Sequence, residues 1–354
     1  MEQPVLRLGL LGFSGADMER MKRWIAQQQP GWPLWSVCDP HSADAWMICG
    51  QSVEVLGRDA LVINHPHESG QQFTLNRAEV DRPLAFSTPL PEGFASAEFF
   101  DASDEGSVRQ RLQRFEAWLR PLRTQFALGA QLVERMREFP KGVVHLLQEE
   151  KLIAVIDMDR GQVGLHTPAR PIDLDMVRWV AAATPSHDIP PSFMRLSLHR
   201  VLWTFAVRTV RQVLPARYRE RTIYLRRVPR VPARWFEESH LRFMRELMVR
   251  PGTLEEMRAR MDVTDVEIEQ CVTALYSGGG LTTDPESARR AEPTARRALV
   301  ALHFDKSSPE TVAHSRPDIS EMAALSSILK DTRHSPLRAV VPGPNEHRSL
   351  KMPY

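Results

Sequence analysis

The chain reads as α/β followed by α+β. A doubly wound parallel sheet is expected over residues 1–138, a small β-meander and helix domain over 139–234, a helical domain over 235–286, and a largely unstructured tail over 287–354. Three observations carry this reading. Short, nearly continuous apolar runs alternate with amphipathic helices in the first third. Three β-rich runs separated by polar turns open the middle. Three short amphipathic segments joined by tight turns follow Arg234, which is the helix-turn-helix pattern.

The elements follow in order. "VLRLGLLGF" (5–13) has the apolar continuity of a strand buried on both faces. "ADMERMKRWIAQQQ" is a helix with Met18, Met21, Trp24 and Ile25 on one side, ending before Pro30. "LWSVCDP", "AWMICG" and "PLAFSTPLP" are further short strands, and "SVRQRLQRFEAWLRPL" is an amphipathic helix marked by Val108, Leu112, Phe115, Trp118, Leu119 and Leu122. "GVVHLLQEE", "KLIAVIDMD" and "GQVGLH" form the meander, with helices expected around 174–183 and 192–213. In the C-terminal part, Thr253 with Glu256 and Thr264 with Glu267 make two capping boxes, and Gly278–Gly280 ends the third helix. Beyond Pro285, prolines and polar residues dominate, apart from an amphipathic island over 318–331. Its stripe of Ile319, Met322, Leu325, Ile328 and Leu329 suits either the chain's own body or a partner's groove.

The totals bound the function. With 354 residues, 42% hydrophobic and 25% charged, the chain is long enough for several cores. Cys38, Cys49 and Cys271 are too far apart for a CxxC metal pair or a disulfide framework and fit a reducing compartment. No apolar run approaches a membrane span and the N-terminus has no signal-peptide pattern, so a cytoplasmic protein without membrane insertion is expected.

The N-terminal order of strand, "GFSGAD", helix, strand, "ADAWMICG", "AFSTPLP" and amphipathic helix resembles a response-regulator receiver domain, a flavodoxin-like fold. The positions where receivers carry their acids read Gly12-Phe13-Ser14 and Cys49-Gly50, and no lysine follows Ser87–Pro89. The resemblance therefore implies a pseudo-receiver that is not phosphorylated at an aspartate, holds no Mg²⁺ and serves as a dimerisation or docking module. A rival reading takes Gly9, Gly12, Gly15 and Asp39 as a dinucleotide fingerprint, at G-x-x-G-x-x-G rather than the usual spacing. Residues 237–284 resemble a winged helix of the PATAN type found in bacterial signalling proteins. Its third helix would be the reading helix, but it opens with Asp265, Glu267 and Glu269, carboxylates that repel a duplex and favour a helix N-terminus.

The stretch Arg208–Arg234 stands out, with nine arginines and one acid, Glu220, in a chain of net charge +2. Arg217, Arg219, Arg221, Arg226, Arg227, Arg230 and Arg234, interleaved with tyrosines, are the candidate contacts for nucleic acid or a phosphorylated ligand. The RxxxR spacings resemble half of a PilZ-type cyclic-di-GMP motif, whose second half is absent. The plain alternative is a solvated basic face. His65, His67 and Glu68 lack further ligands for zinc, and the pairs Asp157/Asp159 and Asp173/Asp175 sit where turns and helix starts favour acids. No catalytic or metal-site motif is present, and no cofactor is expected. The expectation is a non-catalytic regulatory adaptor working through protein partners, with a homodimer formed by the N-terminal domain as one arrangement. A DNA-binding regulator and a cyclic-di-GMP or other nucleotide effector are the alternatives.

Overall fold

The computed structural model describes residues 2–27, 33–57, 60–65, 72–91, 94, 96, 98–182 and 188–307, without the side chains of Arg234 and residues 303–307. All belong to one compact unit.

The first third holds β1 (Val5–Leu11), α1 (Gly15–Ala26), β2 (Leu34–Cys38), β3 (Ala45–Ile48), β4 (Val53–Val55), β5 (Ala60–Asn64), β6 (Gln72–Asn76), β7 (Leu84–Ser87), β8 (Phe99–Phe100) and α2 (Glu105–Trp118). Five strands make a parallel sheet in the order β2-β1-β3-β7-β8. Counted among themselves, they follow the 2-1-3-4-5 order of flavodoxin-like sheets. The layering departs from simple alternation. One face, with Leu8, Leu10, Met47 and Ala85, packs on α1 and α2 through Met21, Ile25, Leu112 and Phe115. The other face, with Trp46, Ile48 and Phe86, is covered by the antiparallel sheet β4-β5-β6 through Leu61, Ile63 and Leu75. A small second sheet thus stands where a helix layer was expected.

The middle begins with α3 (Arg120–Arg135) and continues through β9 (Val143–Gln148), β10 (Lys151–Asp157), β11 (Gln162–His166), β12 (Arg178–Ala181), β13 (Phe193–Ser197) and α4 (Leu198–Ala206). The strands form one antiparallel sheet in the order β12-β9-β10-β11-β13. The three meander strands lie where their sequence places them. The expected helix around 174–183 is instead strand β12, and that around 192–213 is β13 followed by the shorter α4. Pairing with β9 and β11 outweighs local propensity there, because both edges of the meander offer unpaired backbone groups. Leu128 and Leu132 of α3 and Val201 and Leu202 of α4 cover the sheet.

The last part holds α5 (Arg217–Glu220), β14 (Tyr224–Leu225), α6 (Glu238–Val249), α7 (Leu254–Met261), α8 (Asp265–Ser277), β15 (Leu281–Thr282) and α9 (Pro285–Ser307). Both capping boxes form, with Glu256 and Glu267 each returning a carboxylate to the main-chain N–H of the capping threonine at 3.0 Å. The core of this helical body does not begin at 235. Leu214, Tyr218, Ile223 and Leu225 are buried in it with Phe243, Met257, Val272 and Leu275. The segment at 223–225 is a strand placed between Gly252 and β15: the Ile223 N–H donates to the Gly252 carbonyl at 2.8 Å, and Tyr224 and Leu225 pair with Thr282 and Leu281. The arginine-rich segment is therefore part of the helical body and not a connector leading into it.

The chain after Pro285 also departs from expectation. It is helical to Ser307, with Ala295 and Leu299 buried against the same core and Ala288 buried as well. Its buried stripe is mostly alanine and Pro293 interrupts it, so the apolar periodicity is faint. The island 318–331, with Ile319, Met322, Leu325 and Leu329, lies outside the described residues.

Candidate functional site

Two places have the character of a site: the carboxyl ends of the parallel strands and the end of the arginine stretch. At the first, Gly12 turns the chain with φ +74° and Ser14 caps α1. Gly50 lies directly on the next loop. A Cβ there would stand 2.1 Å from the Ser87 carbonyl oxygen and 2.5 Å from that of Pro89, so only glycine fits. The Gly50 N–H donates to the buried Ser87 Oγ at 3.1 Å, and Ser52 Oγ donates to the Gly12 carbonyl at 2.6 Å. The crevice that open α/β sheets offer to ligands at this edge is filled here by the protein's own loops. Gly9 is a strand residue, paired with Cys38 and Trp46, and so does not make the turn that the dinucleotide reading needs. Asp39 caps a short turn by accepting from the His41 N–H at 2.9 Å. Of the proposed histidine pair, His67 and Glu68 lie outside the described residues. Asp157, Asp159 and Asp173 hold turns through the main-chain N–H groups of Arg160, Gly142 and Arg170.

The nine arginines do not share one face. Arg208 is buried and pairs with the equally buried Asp44 at 2.5 Å, while its main-chain carbonyl accepts from the Val5 N–H at 3.0 Å. It fastens the start of β1 and the loop before β3 to the end of α4. Arg211 bridges Glu2 at 2.6 Å and Glu134 at 2.7 Å and lies over the Phe205 ring. Arg219 pairs with Glu269 of α8 at 2.7 Å, and Arg217 lies over the Tyr218 ring. Arg221 is exposed. Of Arg234 only the main chain is described, in a short turn before α6.

The remaining three converge. Arg226, Arg227 and Arg230 follow β14 and run past the glycine triplet that ends α8. The main-chain N–H groups of Arg226 and Arg227 both donate to the Gly280 carbonyl, at 2.7 and 3.2 Å. The half-buried Arg227 guanidinium donates to the Gly279 carbonyl at 3.1 Å and meets His199 Nε2 at 2.6 Å. Arginine brings only donors, so this contact makes Nε2 the acceptor of a neutral imidazole. The His199 Nδ1 is enclosed against the Ser277 main chain without a well-formed hydrogen bond. Burial lowers the His199 pKa, and the charges of Arg227, Arg226 and Arg230 lower it further. Burial, then Arg226 and Arg230, likewise lowers that of Arg227. Gly279 holds φ +70°, and a Cβ on it would fall 2.6 Å from Arg227 Nη2 and 2.8 Å from His199 Cε1. The triplet that reads in sequence as a helix stop is also the floor on which Arg227 lies.

Helix α8 carries the other decisive geometry. It packs against both α4 and α6, and from Cys271 to Leu275 every residue is buried. Its exposed residues are Asp265, Val266 and Glu267 of the first turn and Gln270 of the second, and Asp265 pairs with Arg258 at 2.5 Å. Val266, 64% exposed, and Val210, 68% exposed, line one cleft of about 180 Å³ with Thr209, Gln212 and Gln270.

Sequence reasoning selected Arg226, Arg227 and Arg230 but missed His199 and Gly279. His199 lies far back in the chain at the start of α4, and only tertiary folding brings it to the arginines. No helix among the described residues is long and apolar enough to cross a membrane. Compared with known proteins, the chain matches no family model, no curated protein and no solved structure.

Proposed function

We propose that this chain is a cytoplasmic regulatory adaptor that acts through protein contacts and not by catalysis. The observation that carries the reading is the state of α8. In a winged helix bound to DNA, the reading helix lies free to enter the major groove. Here α8 is enclosed by α4 and α6, and its open first turn presents carboxylates and a valine. Arg219 and Gln212 hold its Glu269, so the body before it closes over one flank. The C-terminal domain, read as a winged helix, thus serves as a packing unit.

Two further features support the reading. The strand ends where a receiver would do its chemistry are filled by Gly50, Ser87 and Pro89. The cleft between Val210 and Val266 sets exposed apolar groups within a polar rim, the composition of a protein-contact patch.

A photo-cross-linker placed at Val266 in the native host tests this directly. Discrete protein adducts that disappear in Val210→Asp are the expected result. Fluorescence anisotropy with a DNA duplex at low salt is the counter-test. Tight binding that falls steeply with salt and is lost on charge reversal in the first turn of α8 would overturn the reading.

A further inference from the structure

We infer that His199, Arg226, Arg227 and Arg230 form a binding site for one phosphate group carried by a small ligand. Three guanidinium groups and an imidazole act on one another at this point, and no carboxylate contacts any of them among the described residues. Every other described arginine of the stretch from 208 to 219 has an acid or a ring against it. A half-buried guanidinium with two like charges beside it and no counter-ion is electrostatically unfavourable, and an oxyanion relieves it. Arginine is also the side chain best shaped to grip phosphate oxygens by paired N–H donors.

The four residues have distinct parts. Arg227 is fixed by the Gly279 carbonyl and His199, and it gives the site a rigid base. Arg226 and Arg230 are exposed, without a partner among the described residues, and are the groups free to close on a ligand. His199 accepts from Arg227 through Nε2 and so holds that guanidinium in place. The size of the site follows from what surrounds it. Arg208, Arg211 and Arg219 are tied to Asp44, Glu2 and Glu269, so these three add nothing to a basic track of the kind a nucleic-acid backbone requires. The site stands apart from the adaptor reading: a partner at Val266 and a phosphate at Arg226 are gained or lost separately.

Isothermal titration of the full chain, in a low-salt buffer free of phosphate, tests the site with inorganic phosphate and, separately, with adenosine monophosphate. At least one probe is expected to bind saturably. In Arg226→Gln/Arg230→Gln, affinity should fall about tenfold or more, as for a lost charge-assisted hydrogen bond. In Arg217→Gln/Arg221→Gln it should stay unchanged. Tighter binding of the nucleotide assigns a nucleotide ligand, and equal binding assigns the phosphate group alone. A shift of the His199 ring resonances on adding phosphate to the unmutated chain reports the site without relying on any variant's fold. Absence of binding by both probes overturns the inference. So does an equal loss in the two double variants, the behaviour of a diffuse basic face open to nucleic acid.

Discussion

Three arginines before β14 and three after it are the same residue type in one continuous stretch, yet the fold uses them in opposite ways. Arg208, Arg211 and Arg219 each meet a carboxylate and join parts of the chain: Asp44 and Glu2 from the first sheet, Glu134 from α3, Glu269 from α8. Arg227 meets a histidine and a main-chain carbonyl, and Arg226 and Arg230 stay exposed and act on it by their charge. The difference shows that a run of positive charge in sequence is not a surface. A cation that finds a buried acid becomes a fastener, and one that finds none keeps its field for a ligand.

This contrast can be broken at graded points. Arg208→Ala removes one half of a pair whose side chains are both 8% exposed and leaves the Asp44 charge with the Arg7 N–H but no counter-ion in that pair. A loss of about 3–5 kcal/mol is expected, measured by urea denaturation. A loss under about 1 kcal/mol would place Arg208 with the exposed set. Gly279→Ala forces a side chain into φ +70° and onto Arg227 and His199. About 2 kcal/mol is expected, against about 1 for Gly161→Ala, which has φ +62° and open space around it. Equal effects would mean that the floor under Arg227 yields.

A third test uses pH. The His199 pKa lies below the unperturbed imidazole value, so the unfolded chain takes up a proton at that residue before the folded chain does. Its contribution to stability is complete above about pH 6.5 and declines as the pH falls below it. Denaturation between pH 5 and 7 should therefore show a shallower acid loss in His199→Gln than in the unmutated chain. Smaller still is Arg219→Ala, which breaks a partly exposed pair with Glu269 and should cost up to about 1 kcal/mol. Arg226→Ala should change stability by no more than about 0.5 kcal/mol in either direction. A larger loss would show that Arg226 is a structural residue.

Much of the architecture was legible from local pattern. The buried strand at 5–11, the meander over 143–166 and both capping boxes follow from apolar continuity, turn residues and the Thr-x-x-Glu spacing. What stayed hidden depends on partners distant in sequence. The strand β12 forms because β9 offers an unpaired edge, and nothing in Arg178–Ala181 announces it. The antiparallel cover β4-β5-β6 replaces a helix layer because its apolar side matches Trp46, Ile48 and Phe86. Helix α9 escaped notice since Ala288 and Ala295 bury little apolar area. At the candidate site, the arginines were visible as a count, but the division between fasteners and free cations was not. Asp44, Glu2, Glu269 and His199 all lie outside the stretch.

The position of β14 also has a consequence for how the chain comes to be folded. The ribosome delivers Ile223 and Leu225 before α6, α7 and α8, and well before Leu281, with which Leu225 pairs. During synthesis this short strand emerges before the helices that cover it and before the strand it pairs with, so its apolar side chains are uncovered at first. The core of the C-terminal body is therefore completed only when residues as late as Leu281 and Leu299 have emerged. A fragment beginning at Trp235 lacks one of the two strands of its sheet and leaves Leu214, Tyr218, Ile223 and Leu225 out of its core, so this body does not make a self-contained module.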